Sequence, residues 1–119
     1  MQTALDEFGK FLIARVRDKA IAEWDKIAAG KMKGMTADSL RPAFAKLGDA
    51  ERALIYRLIP KIVDTTLHHL LWAIEQNERI TLAMEARGSS INLAQVSDGL
   101  PGDLIGWIER FSDERHEEL

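Results

Sequence analysis

The stretch AERALIYRLIPKIVDTTLHHLLWAIEQN, residues 50–77, decides the fold. Its apolar side chains recur at steps of three and four, the period of an α-helix, so it predicts one long helix. The stripe is broader than packing against a single neighbour requires, which predicts a central helix contacted on several sides. Pro60 removes the hydrogen bond to the Tyr56 carbonyl, so the helix either bends or breaks there. The apolar positions of this stretch are Leu54, Ile55, Leu58, Ile59, Ile62, Val63, Leu67, Leu70, Leu71 and Ile74.

Two helices are predicted before this stretch. The first covers residues 4–29, because Thr3 suits an N-cap, Gly30 suits a stop, and the apolar residues between them follow one helix face. That face consists of Leu5, Phe8, Leu12, Val16, Ala20, Trp24 and Ile27, and it places Trp24 in the core. The second covers residues 39–47, because Pro42 has no N–H and is best tolerated in a first helical turn.

A β-hairpin and a last helix are predicted after it. Apolar and polar residues alternate on both sides of Arg87-Gly88-Ser89-Ser90, which predicts a hairpin over residues 80–96. Asp103 suits the N-cap of a helix over residues 103–115, in which Trp107 belongs to the core. The charged tail from Asp113 is expected to fray.

These elements predict an α+β fold, mainly α, in one domain that spans residues 1–119. A bundle-like helical layer surrounds the long central helix, and the C-terminal β-hairpin and the final short helix pack against it. Leu67 and Trp24 are predicted core residues, so truncation of either should destabilise the fold.

Composition excludes several classes of function. The chain has no cysteine, which rules out disulfides, thiol catalysis and cysteine-ligated metals, and its formal charge of −3 argues against a general nucleic-acid binder. Acidic residues near the N-terminus and the lack of a long apolar run predict neither a signal peptide nor a membrane span, so we expect a cytoplasmic protein. Arg17 and the basic residues near it are interspersed with acids, which favours a solvated helix face.

The most site-like pattern lies on the central helix. Spacings of three and four place five side chains on one stripe, namely Lys61, Asp64, His68, Trp72 and Glu75. Asp64, His68 and Glu75 suit a metal site or an acid–base enzyme, but the His-Glu-x-x-His spacing of helical zinc sites is lacking. We favour an ordinary carboxylate–imidazole contact on a solvated face, with no metal and no cofactor.

Trp72 is the unusual member of this stripe, because it falls among otherwise polar positions. The favoured interpretation is that the hairpin or the last helix covers it; the alternative is a contact with another molecule. The leading functional hypothesis is a non-enzymatic protein-binding module that uses Trp72, His68 and Lys61. A structural homodimer, joined through the central helix or the hairpin edge, is the second hypothesis. The enzyme that uses Asp64, His68 and Glu75 is the third.

The C-terminal stretch Ser97-Asp98-Gly99-Leu100-Pro101-Gly102, followed by GWIERFS at residues 106–112, resembles a pattern in short bacterial proteins without an established activity. The opening helix (FGKFL, residues 8–12, and RDKA, residues 17–20) and the middle helix (LHHLLWAIE, residues 67–75) are similar to theirs. The resemblance implies a small bacterial accessory protein and, by analogy alone, an immunity-like role.

Overall fold

A computed structural model describes residues 3–116 of the chain. The elements are α1 (Ala4–Leu12), a π turn (Ile13–Arg17), α2 (Asp18–Ala28), α3 (Met35–Ala45), α4 (Asp49–Gln76), β1 (Ala83–Ala86), β2 (Ser89–Asn92), α5 (Leu93–Val96) and α6 (Leu100–Phe111). The predicted α+β class, mainly α, is confirmed. Within residues 3–116 no helix has both the length and the apolar character that a membrane span requires.

The long helix α4 is continuous, so the alternative of a break at Pro60 is wrong. It has 28 residues, which corresponds to a length of about 42 Å. It begins after Gly48, whose N–H donates to the Glu51 carboxylate and thereby satisfies one of the free donors at the helix start. Leu67 and Leu71 are buried against the rest of the chain, as predicted for Leu67.

The predicted first helix is present, but a π turn divides it. The Asp18 N–H bonds to the Ile13 carbonyl, five residues back instead of four. The extra residue shifts the buried face forward by one position, so Arg17 and Ile21 are buried where regular spacing would bury residues 16 and 20. The prediction that Trp24 is a core residue is wrong, since its side chain is 39% exposed, although Ile27 of the same predicted face is buried.

Helix α3 begins four residues earlier than predicted. Its first turn forms because the Asp38 N–H donates to the Gly34 carbonyl at 2.8 Å. Pro42 therefore lies in the eighth position and not in the first turn, and it leaves the Asp38 carbonyl without its usual helical donor. The helix ends three residues later, at Ala45.

The hairpin is shorter than predicted. Its antiparallel strands pair Ala83 with Asn92, and the turn consists of Arg87 and Gly88 alone, with φ values of +51° and +79°. Two successive positive φ values are typical of a tight two-residue turn. Residues 93–96 form a helical turn and not the predicted strand, because the Asn92 side chain accepts a hydrogen bond from the Ala94 N–H at 3.1 Å.

Helix α6 begins at Leu100, three residues before the predicted start. The Leu100 N–H donates to Glu75 Oε2 of α4 at 2.7 Å, so a side chain from another helix accepts from a free N–H at the start of α6.

Trp107 of α6 is buried and lies against Gly9 of α1, where a Cβ would come within 2.4 Å of the indole. Close approach of α1 to α6 therefore requires glycine at position 9.

The C-terminal tail is held in place as far as Arg115, so the prediction that it frays from Asp113 is wrong. The Asp113 N–H donates to Asp18 of α2 at 2.9 Å. Arg115 forms a bidentate ion pair with Asp25, also of α2, at 2.7 and 2.9 Å. These contacts attach the C-terminal tail to α2.

Candidate functional site

Arg17 is the buried polar centre of the fold. The π turn directs it inward, and its guanidinium donates five hydrogen bonds. Two go to the two carboxylate oxygens of Asp64, at 2.6 and 3.1 Å, and the others go to Asp18, Ser112 and the Arg115 carbonyl. The prediction that Arg17 lies on a solvated face is therefore wrong. Its role is to join α2, α4 and the C-terminal tail.

The structure does not assemble the stripe formed by Asp64, His68 and Glu75 into one site. Asp64 is paired with Arg17 through both oxygens, and Glu75 binds the start of α6. His68 is exposed, and its ring meets the edge of the His69 ring at a centroid distance of 5.5 Å. Across residues 3–116, no three His, Asp or Glu side chains are grouped so that they could hold a metal ion.

A groove of about 290 Å³ runs between α4 and α6. Lys61, Asp64, Thr65 and His68 line it from α4, and Pro101, Leu104, Ile105 and Ile108 line it from α6. The α6 wall is entirely apolar, and the Asp64 charge is already compensated by Arg17. The groove therefore offers an apolar wall with two basic groups, Lys61 and His68, at its edge. It suits an apolar side chain of a partner better than a proton-transfer reaction.

The side of α4 that faces away from the buried core, next to this groove, carries a second stripe that is mostly apolar. We define the outer face as Leu54, Leu58, Ile62, Thr65, His69 and Trp72, which follow one another at steps of four and three along the helix. Leu54, Ile62 and Trp72 are 53%, 62% and 53% exposed. None of the six is an Asp, Glu, Lys or Arg, and the stripe is about 27 Å long. The outer face thus exposes four large apolar side chains, Leu54, Leu58, Ile62 and Trp72, with the uncharged Thr65 and the imidazole of His69 between the last two.

Sequence analysis missed this outer face because it assigned the whole broad stripe to the core. The prediction that the central helix is contacted on several sides is wrong on the outer face, where Leu54, Leu58 and Ile62 are exposed. Trp72 is also exposed over half its surface, so neither the hairpin nor α6 covers it as favoured. The signal was present in the sequence, since a helix that is apolar on two opposite faces needs two partners.

Comparison with known proteins adds no further constraint. The chain matches no protein-family model, no curated protein and no solved structure. The resemblance to short bacterial proteins stays a prediction. Function is therefore inferred from the outer face and the groove.

Proposed function

We propose that this chain is a non-enzymatic protein-binding module whose binding surface is the outer face of α4. The observation that carries the proposal is that α4 is apolar on two opposite sides, and the chain's own helices cover only one of them. Burial of the exposed side against another protein would release water from the apolar side chains of Leu54, Leu58, Ile62 and Trp72.

The chemistry of the outer face fits a protein interface. Interface centres are depleted of charged residues and enriched in aromatic ones, and here Trp72 lies at one end of a stripe without Asp, Glu, Lys or Arg. Lys61 and His68 line the neighbouring groove, at the edge of the same surface. They are suited to polar contacts at an interface rim, so we propose that Trp72, His68 and Lys61 all contact the partner.

The third hypothesis, a metal-dependent or acid–base enzyme, finds less support. An acid–base site needs its groups to converge on one substrate position, whereas Asp64 binds Arg17 through both oxygens and Glu75 binds the Leu100 N–H at the start of α6. His68 would have to act without either carboxylate. For this reason we assign both acids to the stabilisation of the fold and propose no reaction.

Two further features of the proposal rest on the sequence. The lack of cysteine suits a reducing compartment, so we propose a cytoplasmic location. The resemblance to small bacterial accessory proteins is compatible with a binding role, and an immunity-like partner would be one case of it.

Site-specific photo-crosslinking tests the proposed function. A photoreactive amino acid replaces Ile62 at the middle of the outer face or, as a control, Lys19, an exposed residue of α2. After irradiation in the producing cells, the Ile62 position should give a discrete protein adduct and the Lys19 position should not. Equal labelling at both positions, or no adduct at Ile62, would contradict the proposed binding surface.

A further inference from the structure

We propose that Asp25 and Tyr56 form a binding site for an arginine side chain of another polypeptide, and that Arg115 of the chain's own tail is its resident, displaceable ligand. The site shares no residue with the outer face or with the groove between α4 and α6, so the inference does not depend on the proposed function. Three observations carry it: the contacts of the Arg115 guanidinium, the polar character of the tail, and a cavity that adjoins the site.

The site holds a guanidinium through three kinds of contact. The Asp25 carboxylate accepts from Nη1 and Nη2 of Arg115 at 2.7 and 2.9 Å. The centre of the Tyr56 ring lies 3.4 Å from the guanidinium carbon, and the Tyr56 carbonyl accepts from Nη2 at 2.6 Å and from Nε at 3.2 Å. A planar, forked cation makes all these contacts at once, whereas a lysine ammonium does not. The site therefore selects arginine over lysine.

The groups that receive the guanidinium lie in two helices and not in the tail. Asp25 belongs to α2 and Tyr56 to α4. The Tyr56 carbonyl has no helical donor because Pro60, four residues later, lacks an N–H. When Arg115 leaves, the same carboxylate, ring and carbonyl are thus open to a second guanidinium.

The tail, residues 112–116, is held by polar and charged groups. Its sequence is Ser-Asp-Glu-Arg-His, which contains no aliphatic side chain. Segments that bury little apolar surface open locally at a lower free energy than the core does. The buried Arg17 loses two of its five hydrogen bonds when the tail leaves, but it keeps the three to Asp64 and Asp18. The tail can therefore detach while the core stays folded.

A cavity of about 260 Å³ adjoins the site and indicates a second element of the ligand. Asp25 and Tyr56 belong to its lining, and no residue of the tail does. Its other lining residues are mostly apolar, namely Ala28, Ala29, Phe44, Ile55 and Arg52. A polypeptide with an apolar residue next to its arginine would occupy both parts, whereas the tail places Glu114 and His116 beside Arg115.

Chemical rescue of the full chain tests the site. In Arg115→Ala the alanine keeps Cβ, so ethylguanidinium has the atoms that the variant lacks, and at millimolar concentration it should raise the melting temperature. Propylammonium has the same charge without the planar fork and should not. The wild type, whose site Arg115 fills, measures the general effect of each salt.

Arg110→Ala is the matched control for this rescue. Arg110 also pairs with a carboxylate, but it donates only one hydrogen bond to Asp6. Ethylguanidinium should therefore leave the melting temperature of Arg110→Ala no higher than that of the wild type changes. An equal rise for Arg115→Ala and Arg110→Ala, or no rise for either, would overturn the site.

Peptide binding to Arg115→Ala tests the kind of partner. Acetyl-Leu-Arg-Leu-amide should bind several-fold more tightly than acetyl-Ser-Arg-Ser-amide, because a leucine can enter the adjoining cavity. Acetyl-Leu-Lys-Leu-amide should bind more weakly than either, and Asp25→Asn in the same background should abolish binding. Amide chemical shifts near Asp25 and Tyr56 report the complex. Equal affinity for the arginine and lysine peptides would contradict a guanidinium site.

Hydrogen exchange in the wild type tests displacement and does not depend on the folding of any variant. The Asp113 N–H, which donates to Asp18 at 2.9 Å, should exchange by local opening, at a rate that low denaturant leaves unchanged. Acetyl-Leu-Arg-Leu-amide should speed this exchange, because it competes with Arg115 for the site. Exchange of Asp113 only through global unfolding, or a rate that the peptide does not alter, would show that Arg115 is not displaceable.

Discussion

Arg115 lies where Pro60 leaves a gap in the hydrogen bonding of α4. Pro60 has no N–H to donate to the Tyr56 carbonyl, and Arg115 donates to that oxygen instead, with Nη2 at 2.6 Å and Nε at 3.2 Å. The same guanidinium stacks 3.4 Å from the centre of the Tyr56 ring and pairs with Asp25. The C-terminal tail thus completes the central helix, which is why α4 runs through its proline without a break.

This relationship predicts that the effects of Arg115 and Pro60 on stability are coupled. Arg115→Met keeps the apolar part of the side chain but leaves the Tyr56 carbonyl without its donors, and it should cost about 1.5–3 kcal/mol. In a Pro60→Ala background the alanine N–H supplies the helical bond, so the same change should cost less. Urea unfolding of the four proteins in a double-mutant cycle measures the difference. Additive effects would contradict the replacement of one donor by the other.

The buried ion pair between Arg17 and Asp64 leads to a second prediction. Arg17→Met leaves the Asp64 carboxylate in the interior without its two donors and should cost about 3–5 kcal/mol. The double variant Arg17→Met/Asp64→Leu removes both charges and should be more stable than the single variant. Urea midpoints compare them. A double variant that is less stable than Arg17→Met would show that the arginine acts through its other partners.

The π turn explains why sequence periodicity predicted the first helical segment, from α1 through α2, but not its buried face. Helical spacing located residues 4–28 correctly, because α1, the π turn and α2 are all helical. The extra residue of the π turn changed which side chains point inward after it, so that Arg17 and Ile21 are buried where the periodicity predicted Val16 and Ala20. The pattern of apolar residues does not reveal such an insertion, since arginine on its own indicates solvent. Besides its neighbour Asp18, partners far away in sequence stabilise it in the interior, namely Asp64, Ser112 and the Arg115 carbonyl.

The different exposure of Leu67 and Trp24 predicts unequal costs for two truncations. Leu67 is 5% exposed and belongs to the main core, so Leu67→Ala should cost about 2–5 kcal/mol. Trp24→Ala removes a larger side chain but from a partly solvated position, so we expect a smaller loss. Denaturant midpoints of the two variants give the order. A larger loss for Trp24→Ala would contradict the partial exposure of the Trp24 side chain.

The candidate site was predictable only in part. Helical spacing places Lys61, His68 and Trp72 near one another along α4, and the helix is continuous through all three. The same spacing did not reveal that Asp64 and Glu75 bind other parts of the fold. Their partners, Arg17 and the Leu100 N–H, lie 47 and 25 residues away in the chain. The exposure of the outer face also depends on how many helices reach α4, and the number of its neighbours is a tertiary property.

The contact between Gly9 and Trp107 gives a paired prediction for two glycines. Gly9→Ala places a methyl group 2.4 Å from the buried indole, so α1 and α6 must separate, at a cost of about 1–3 kcal/mol. A methyl group on Gly102, in α6, would meet no atom within 4 Å outside its own helix backbone and its chain neighbours. Gly102→Ala should therefore stabilise the protein by up to about 1 kcal/mol, because alanine favours the helix. Opposite shifts in melting temperature test both; destabilisation by Gly102→Ala would contradict this explanation.

The ion pair between Asp6 and Arg110 predicts a pH-dependent contribution to stability. The hydrogen bond from Arg110, at 2.9 Å, is the main cause that lowers the pKa of Asp6 below its ordinary value of 3.8, against the opposing effect of burial. A carboxyl with a lowered folded pKa stabilises the fold above its unfolded pKa, and it loses that contribution as the pH falls through the folded value. Asp6→Asn should therefore lower the melting temperature slightly at pH 7, and the difference should shrink below pH 3.8. Glu7→Gln, in the same first turn, controls for the helix dipole. An Asp6→Asn difference that grows as the pH falls would contradict this role for the pair.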